Sequence, residues 1–416
     1  MHDVVGNADI VATAKVGAPT KSPRFAALHR RFPTIAYLRA HARRHAPRFA
    51  FEYMDGGAGA DTGIARNWAA LDAVELVPRY GVMPSLPPID VELFGRHYSA
   101  PFGIAPMGGP SIVWPGADLA LAKAAQRARV PYTLGLAGGA TIEQIAEVAG
   151  DVFWFQLYRC AKNDHAIGFD LVKRADAAGV HVLMLTLDVP VRTTRSREVV
   201  VGLGGAGVFR PGPRMMWDII TAPRWACAMF RNGQPRFANI KPYAGVNASL
   251  NEVIQFARNE MGGAFSWEEV ARYRERWKGP LVVKGILHPA DAERAVKLGV
   301  DGVVVSNHGG RQIEALPAPI DCLPDVVRTV GSRATVLMDS GIRSGTDVVR
   351  ALALGASAAF AGKAFLWSLG ALGSEGPGHV LDLLADETQA ALGQIGAHKP
   401  TDARKVMVRH PDALHF

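Results

Sequence analysis

Cysteine is scarce. The 416 residues contain three, Cys160, Cys227 and Cys322, far apart and odd in number. No CxxC pair exists, which argues against a disulfide framework or a zinc ribbon and points to a reducing compartment. Long apolar runs are lacking too. The longest follows Arg350 and reaches Gly373, and Lys363 interrupts it midway. A membrane span needs about 20 residues with few or no charges, so this run reads as core. The amino terminus shows no apolar h-region and no small-residue cleavage site, so no secretory signal is expected. Acidic residues are missing from one segment: residues 10–51 hold nine Lys and Arg but no Asp or Glu. The chain carries 46 basic and 38 acidic side chains; without that segment the balance is 37 against 38. The basicity is therefore local, which excludes a nucleic-acid face spread over the protein. An Arg-rich, acid-poor start also fits a mitochondrial transit peptide, the weaker of two readings. The stronger is an amphipathic first helix capped by Pro33-Thr34, with Ile35, Tyr37 and Leu38 on its apolar side.

Hydrophobic residues make up 49% and charged residues 20%, a globular composition. Residues 1–30 read as a loose arm, 31–400 as the main domain and 401–416 as a tail. From about Ala100 a short apolar run alternates with a stretch of helical period. The runs are Phe102–Ala105, Tyr132–Gly135, Val152–Tyr158, Val182–Asp188, Leu281–Lys284, Gly302–Asn307, Thr335–Asp339 and Ala358–Gly362. Eight such runs predict an α/β fold, a (β/α)8 TIM barrel with an N-terminal helical extension. The spacing breaks once, between Val182 and Leu281, so a large insertion follows strand 4. Within it, residues 199–262 carry seven Lys or Arg against three Asp or Glu, together with Phe209, Met215, Met216, Trp217, Trp225 and Phe230. Two readings fit: a lid packing its aromatics onto the barrel, or a segment lying on a membrane surface.

Two motifs mislead. Gly202 to Gly207 matches GxGxxG, but Pro211 and Pro213 follow where a dinucleotide site needs a helix, so a nicotinamide site is rejected. His41 and His45 have helical HxxxH spacing, but Arg43 and Arg44 lie between them and HExxH is absent; no metal site is read.

In barrels the chemistry sits at the C-terminal strand ends. Six consecutive strands each bring a polar group there: Gln156, Asp188, Lys284, His308 with Arg311, Asp339 with Arg343, and Lys363. His308 is the ring that titrates near neutrality and is the candidate general base, with Asp188 to orient it. No activated Ser or Cys accompanies them, which disfavours acyl transfer. Arg311 and Arg195 can clamp a carboxylate. Gly341, Arg343, Gly362 and Lys363 make a phosphate site where barrels usually have one. These residues alone leave open whether the phosphate belongs to substrate or cofactor.

Ser306-Asn-His-Gly-Gly-Arg-Gln312 resembles the signature of the FMN-dependent L-2-hydroxy-acid oxidase and dehydrogenase family. The resemblance runs in order through Phe51-Glu-Tyr-Met-Asp-Gly-Gly-Ala58, Ala105-Pro-Met107, Phe155-Gln-Leu-Tyr158, Leu185-Thr-Leu-Asp188, Arg195-Ser-Arg197, Leu281-Val-Val-Lys-Gly285 and Asp339-Ser-Gly-Ile-Arg343, covering about residues 30–400. The stretch from Pro223 to Gly233 looks most like the membrane-associated lactate and mandelate dehydrogenase branch. The resemblance implies oxidation of an L-2-hydroxy acid, such as L-lactate or mandelate, to the 2-oxo acid with FMN as cofactor. It implies flavin contacts from Pro106, Met107, Gly108, Gly135, Gln156, Thr186, Lys284, Ser306 and Asp339, with the phosphate on Gly341, Arg343, Gly362 and Lys363. Tyr53, Arg311 and Arg195 would hold the substrate carboxylate, Tyr158 its hydroxyl, and His308 with Asp188 would take the proton. Lys284 would stabilise negative charge on the reduced flavin. The acceptor would be a quinone, a cytochrome or oxygen, the last releasing hydrogen peroxide. The assembly would be a tetramer or octamer, cytoplasmic or peripheral on the inner face of the cytoplasmic membrane. Four positions depart from the family pattern: Gly135 for a hydroxyl residue, Ala137 for the bulky aromatic of glycolate oxidases, Lys363 for Arg and Glu314 for Asp. An FMN-barrel isomerase is the alternative, but it would not need Tyr53 and Arg311 together with His308.

Overall fold

The computed structural model describes residues 23–82, 85–191, 193–203, 212–234, 237–245 and 247–411. Eight parallel strands close a barrel: β1 Phe102–Ile104, β2 Tyr132–Gly135, β3 Phe153–Leu157, β4 Val182–Thr186, β5 Leu281–Ile286, β6 Gly302–Val305, β7 Thr335–Met338 and β8 Ala358–Ala361. Their order is sequential, and closure comes where Ala359, Phe360 and Ala361 pair with Phe102, Gly103 and Ile104. All eight expected runs are strands. Most positions along them are buried, because helices cover the outside while side chains fill the inside; this is why they read as continuous apolar runs rather than alternating ones.

Among the described residues, four helices precede the barrel: α1 Pro23–Arg31, α2 Ile35–His45, α3 Arg48–Asp55 and α4 Thr62–Ala73. Part of the expected arm is therefore helix. Helix α1 buries Phe25, whose ring lies 5.7 Å from that of His379. On α2, Ile35 and Leu38 are buried as expected, but Tyr37 is 58% exposed. At 100° per residue Tyr37 points about 200° away from Ile35, off the buried stripe. Thr34 stands at the N-cap with extended backbone, yet its hydroxyl caps nothing. His45 Nδ1 donates to His41 O at 2.9 Å, and the two rings stack at 3.8 Å. The expected tail begins inside a short 3-10 helix, Pro400–Lys405, and Met407–Arg409 pairs antiparallel with Glu75–Val77.

The insertion after β4 holds short helices, including Ser196–Val200, Pro213–Ile220, Pro223–Asn232 and Leu250–Glu260. Met215 and Trp225 pack inward with Phe49, Ala50 and Ala222, and the Trp225 indole donates to Ile112 O at 3.2 Å. Met216, Trp217, Ile220 and Phe230 point outward, and Phe230 is 93% exposed. The lid reading thus describes the inward face of the insertion, where Met215 and Trp225 pack. Phe209 and positions 204–207 of the glycine motif lie outside the described residues.

Candidate active site

Strand β6 delivers His308 through an unusual backbone. His308 has φ +59°, and Gly309 and Gly310 follow at +68° and +71°. A non-glycine residue there costs about 1–2 kcal/mol, and such strain persists only where the surroundings enforce it. Here they do. His308 N donates to Ser306 Oγ at 3.0 Å, Gly309 N to Ser340 Oγ at 2.9 Å and Gly310 N to Asn307 Oδ1 at 3.1 Å. Gly310 also passes so close to the start of α4 that a Cβ would lie 2.8 Å from Ile64 N. The His-Gly-Gly run is thus a backbone requirement as well as a chemical one.

His308 Nδ1 lies 3.0 Å from Asp188 Oδ1. A carboxylate only accepts, so this nitrogen donates, and in the neutral ring the lone pair is then on Nε2. Nε2 faces the Tyr158 hydroxyl at 3.4 Å. Burial alone would raise the Asp188 carboxyl, but His308 and Lys284 override it and hold it below the ordinary carboxylate range. The Tyr158 phenol is pushed up to about 12, by burial first and then by Asp188. It therefore stays a donor at neutral pH.

Arg311 lies under the α3 terminus. Its Nη1 donates to Tyr53 O at 2.9 Å and Gly56 O at 2.8 Å, and its Nη2 to Glu198 Oε1 at 2.6 Å. A guanidinium has five N–H donors, so Nε–H and one Nη2–H are left without partners among the described residues. Arg195 lies alongside: its Nε donates to Arg311 O at 3.3 Å and its Nη1 is 3.4 Å from the same Glu198 oxygen. The Tyr53 hydroxyl donates to Gly108 O. Two residues on from Arg195, Arg197 ties the segment to the N-terminal helices through Glu52 (2.5 Å), Asp55 (3.0 Å) and Asp61 (2.9 Å).

Lys284, on β5, is buried under the cavity. It donates to Ser306 Oγ at 2.7 Å and pairs with Asp339 Oδ2 at 2.9 Å. Burial opposes its charge, but Asp339 and Asp188 outweigh that and raise it above the usual lysine range. One cavity at the C-terminal end of the barrel is lined by Tyr53, Pro106, Met107, Gly108, Tyr158, Arg195, Lys284, His308, Arg311, Asp339, Gly341, Gly362 and Lys363. Asp188 stands behind His308. Gln156, Thr186 and Ser306 are buried and are not among the lining residues; Gln156 Nε2 donates to Thr186 Oγ1 at 2.8 Å.

Three further expected contacts differ in detail. The Arg343 guanidinium does not line the cavity; it pairs with Asp72 at 2.5 Å and approaches Asp347 at 3.7 Å, because α4 offers a carboxylate beside it. Gly135 does not line it either: a Cβ there would lie 2.7 Å from Met107 O, so the backbone approach leaves no room for a side chain. Lys363 does line it, but its ammonium donates to the carbonyls of Met54, Asp55 and Gly56 at 3.2, 3.1 and 2.7 Å, capping α3. Burial, and then Arg311, push Lys363 well below the usual lysine range. Glu314 accepts from Ala60 N at 2.8 Å and Thr62 Oγ1 at 2.9 Å, so it fastens the loop after β6 to α4. Sequence reasoning missed Asn67, Trp68, Ser340, Leu366 and Trp367, which also line the cavity. Asn67 pairs side chain to side chain with Asn307 at 2.9 and 2.6 Å, and no local signal in the sequence announces it.

A family profile described as FMN-dependent dehydrogenase matches residues 42–410. The chain belongs to this family. L-lactate dehydrogenase of Pseudomonas syringae pv. syringae (strain B728a) is 37% identical over 361 residues, 86% of this chain and 93% of that one. L-lactate dehydrogenase of Stenotrophomonas maltophilia (strain R551-3) is 38% identical over 365 residues, 88% and 95%. Among solved structures, the monotopic membrane protein (S)-mandelate dehydrogenase matches with a TM-score of 0.83 and 33% identity over 92% of this chain and 98% of that one. Mandelate oxidase matches with a TM-score of 0.78 and 33% identity over 91% and 99%. This FMN-dependent dehydrogenase is thus an oxidoreductase of L-2-hydroxy acids.

The donor set fits FMN. A planar ring needs apolar faces and a polar edge, and Pro106, Met107 and Lys284 line one cavity. A phosphate needs exposed N–H groups, and Gly341 and the start of the helix Lys363–Leu372 lie on the same wall.

Proposed function

We propose that His308 is the general base, that Arg311, Arg195 and Tyr53 hold the substrate carboxylate, and that Tyr158 holds the 2-hydroxyl. The observation that carries this is that one cavity holds both His308, whose Nδ1 is engaged by Asp188, and an Arg311 edge with two donors unpartnered among the described residues. Nε2 would take the hydroxyl proton while the hydrogen on C2 leaves with its electron pair, which accounts for both hydrogens lost in forming the 2-oxo acid, and Asp188 balances the imidazolium that forms. Tyr158, kept protonated, orients the hydroxyl toward Nε2. Bound FMN supplies the two-electron acceptor. Pro106, Met107, Gly108, Lys284, Gly341, Gly362 and Lys363 would hold it, with Gln156, Thr186, Ser306 and Asp339 fixing those groups from behind and Arg343 adding positive charge near Gly341. The buried Lys284 favours negative charge on whatever stands above it.

The substrate side chain would enter an adjoining chamber of about 600 Å³, which shares Tyr53, Gly108, Tyr158 and Arg195 with the cavity. Ala137, Val189, Leu203, Phe237 and Ile254 line it, which favours a side chain larger than methyl. The outward Met216, Trp217, Ile220 and Phe230, with exposed Arg214, Arg224 and Arg231 on the same two helices, fit an anionic bilayer and a quinone acceptor. No helix among the described residues is long and apolar enough to cross a membrane, so the contact would be peripheral.

The test is the visible spectrum of the oxygen-free holoenzyme with L-lactate, glycolate, L-mandelate and longer L-2-hydroxy acids, each against its D enantiomer where it has one. Bleaching by L acids alone is expected, with the rate ranking the side chains. Readmitted air then separates an oxidase from a dehydrogenase. A bound flavin that none of them bleaches would refute these roles and favour the isomerase.

A further inference from the structure

Both clamp arginines already face a carboxylate from the chain itself. Glu198, on the helix Ser196–Val200, places one oxygen 2.6 Å from Arg311 Nη2 and 3.4 Å from Arg195 Nη1. Its side chain is 12% exposed, so the three groups interact with little screening. Glu198 also lines the chamber beside the cavity, on the path of the substrate side chain.

Counting charge gives the consequence. Two half-buried guanidiniums so close repel each other, and burial together with Arg195 pulls Arg311 below its ordinary range. Glu198 cancels one of the two charges and leaves a clamp of net +1. A substrate with one carboxylate brings that to zero. A second carboxylate on the substrate side chain would enter the chamber against Glu198, with no positive charge left over at the clamp. Across the chamber, Arg159 is engaged by Glu269 at 2.8 Å; Arg258 also lines that wall.

We propose that Glu198 is the specificity-determining residue that restricts this enzyme to monocarboxylic 2-hydroxy acids by setting the charge of the carboxylate clamp and facing the substrate side chain. The inference rests on the reading of the site given above. Nothing in the sequence marks Glu198 for this role; it directly follows the Arg195-Ser-Arg197 stretch that carries the resemblance.

The experiment compares two product analogues of equal length, 2-oxovalerate and 2-oxoglutarate, which differ by a methyl against a carboxylate. Their dissociation constants are measured by titration calorimetry on the holoenzyme. The wild type is expected to bind 2-oxovalerate at least about tenfold more tightly. In Glu198→Gln the ratio should move toward the dicarboxylate by on the order of tenfold, whereas Glu198→Asp, which keeps the charge, should stay near wild type. A ratio cancels any general loosening of the clamp, which would weaken both ligands alike. The proposal is overturned if the wild type binds the two equally or prefers 2-oxoglutarate, a result that needs no variant to fold, or if Glu198→Gln leaves the ratio unchanged. Failure of the underlying reading shows separately, as a wild-type flavin that no L-2-hydroxy acid reduces.

Discussion

Replacing Asp188 by Asn tests the base most directly. The change is isosteric, and the amide can still touch His308, so the fold and the cavity should survive. What disappears is the negative charge 3.0 Å from Nδ1. At an effective dielectric of about 20, that charge would stabilise an imidazolium by roughly 5.5 kcal/mol. The His308 and Asp188 side chains are 18% and 9% exposed, and water at that edge screens part of the attraction. Taking about half leaves roughly 2.7 kcal/mol, or about a hundredfold in the proton-transfer rate. Asn can also present its oxygen or its NH2 to Nδ1, and the second choice would place the proton on Nε2, adding to the loss. The assay is the anaerobic rate of flavin bleaching at saturating L-2-hydroxy acid, with flavin content measured beside it. A decrease of about a hundredfold with flavin still bound supports the assignment. A rate within about threefold of wild type would refute the idea that Asp188 charges the base.

Other outcomes follow from the same geometry. Arg311→Lys keeps the charge but loses the fork and the bonds to Tyr53 O and Gly56 O, so KM should rise by roughly ten- to a hundredfold with flavin retained; an unchanged KM would remove Arg311 from the clamp. Gly310→Ala should lower the unfolding midpoint more than Gly309→Ala: both cost about 1–2 kcal/mol of backbone strain, but only the first meets α4 backbone at 2.8 Å, and equal midpoints would contradict this. Asp118 is raised to about 6, by burial first, despite bonds from Gly139 N, Ser111 and Tyr132. A carboxyl raised in the folded state favours folding when protonated, so its contribution is present below about pH 4 and lost as pH rises through about 6, by up to roughly 3 kcal/mol. Asp118→Asn should therefore flatten the pH dependence of the denaturation midpoint over that window, and an unaltered slope would argue against it. Replacing Trp217 and Phe230 by Ser should weaken cosedimentation with anionic vesicles without slowing flavin bleaching; if the unaltered protein does not sediment with vesicles, the membrane reading fails.

Much of this was legible beforehand, for identifiable reasons. Strands buried on both faces leave continuous apolar runs, and all eight runs are barrel strands. The rule that barrel chemistry sits at the C-terminal strand ends then brought His308, Asp188, Lys284 and Arg311 into one reading. What stayed hidden depends on partners remote in sequence. The Arg343–Asp72 pair spans 271 residues, and nothing near either residue reveals it. Trp68 and Asn67 lie on a helix outside the barrel repeat, so a rule about strand ends passes over them. Tyr37 was misplaced because a short apolar cluster does not fix which side of a helix is buried.

The capping of α3 by Lys363 has a consequence for the order in which the protein is made. Tyr53 belongs to a helix that leaves the ribosome before any barrel strand. The ammonium that satisfies that helix's last carbonyls lies 309 residues beyond Met54. At about 5–20 residues per second, synthesis of that stretch takes roughly 15–60 s. The helix that carries Tyr53, assigned above to the proposed clamp, therefore waits for almost the whole chain before its end is capped. Truncation just before β7 would keep His308 and Arg311 in the chain but remove Lys363 and the two strands that close the barrel, leaving the last carbonyls of α3 without that ammonium.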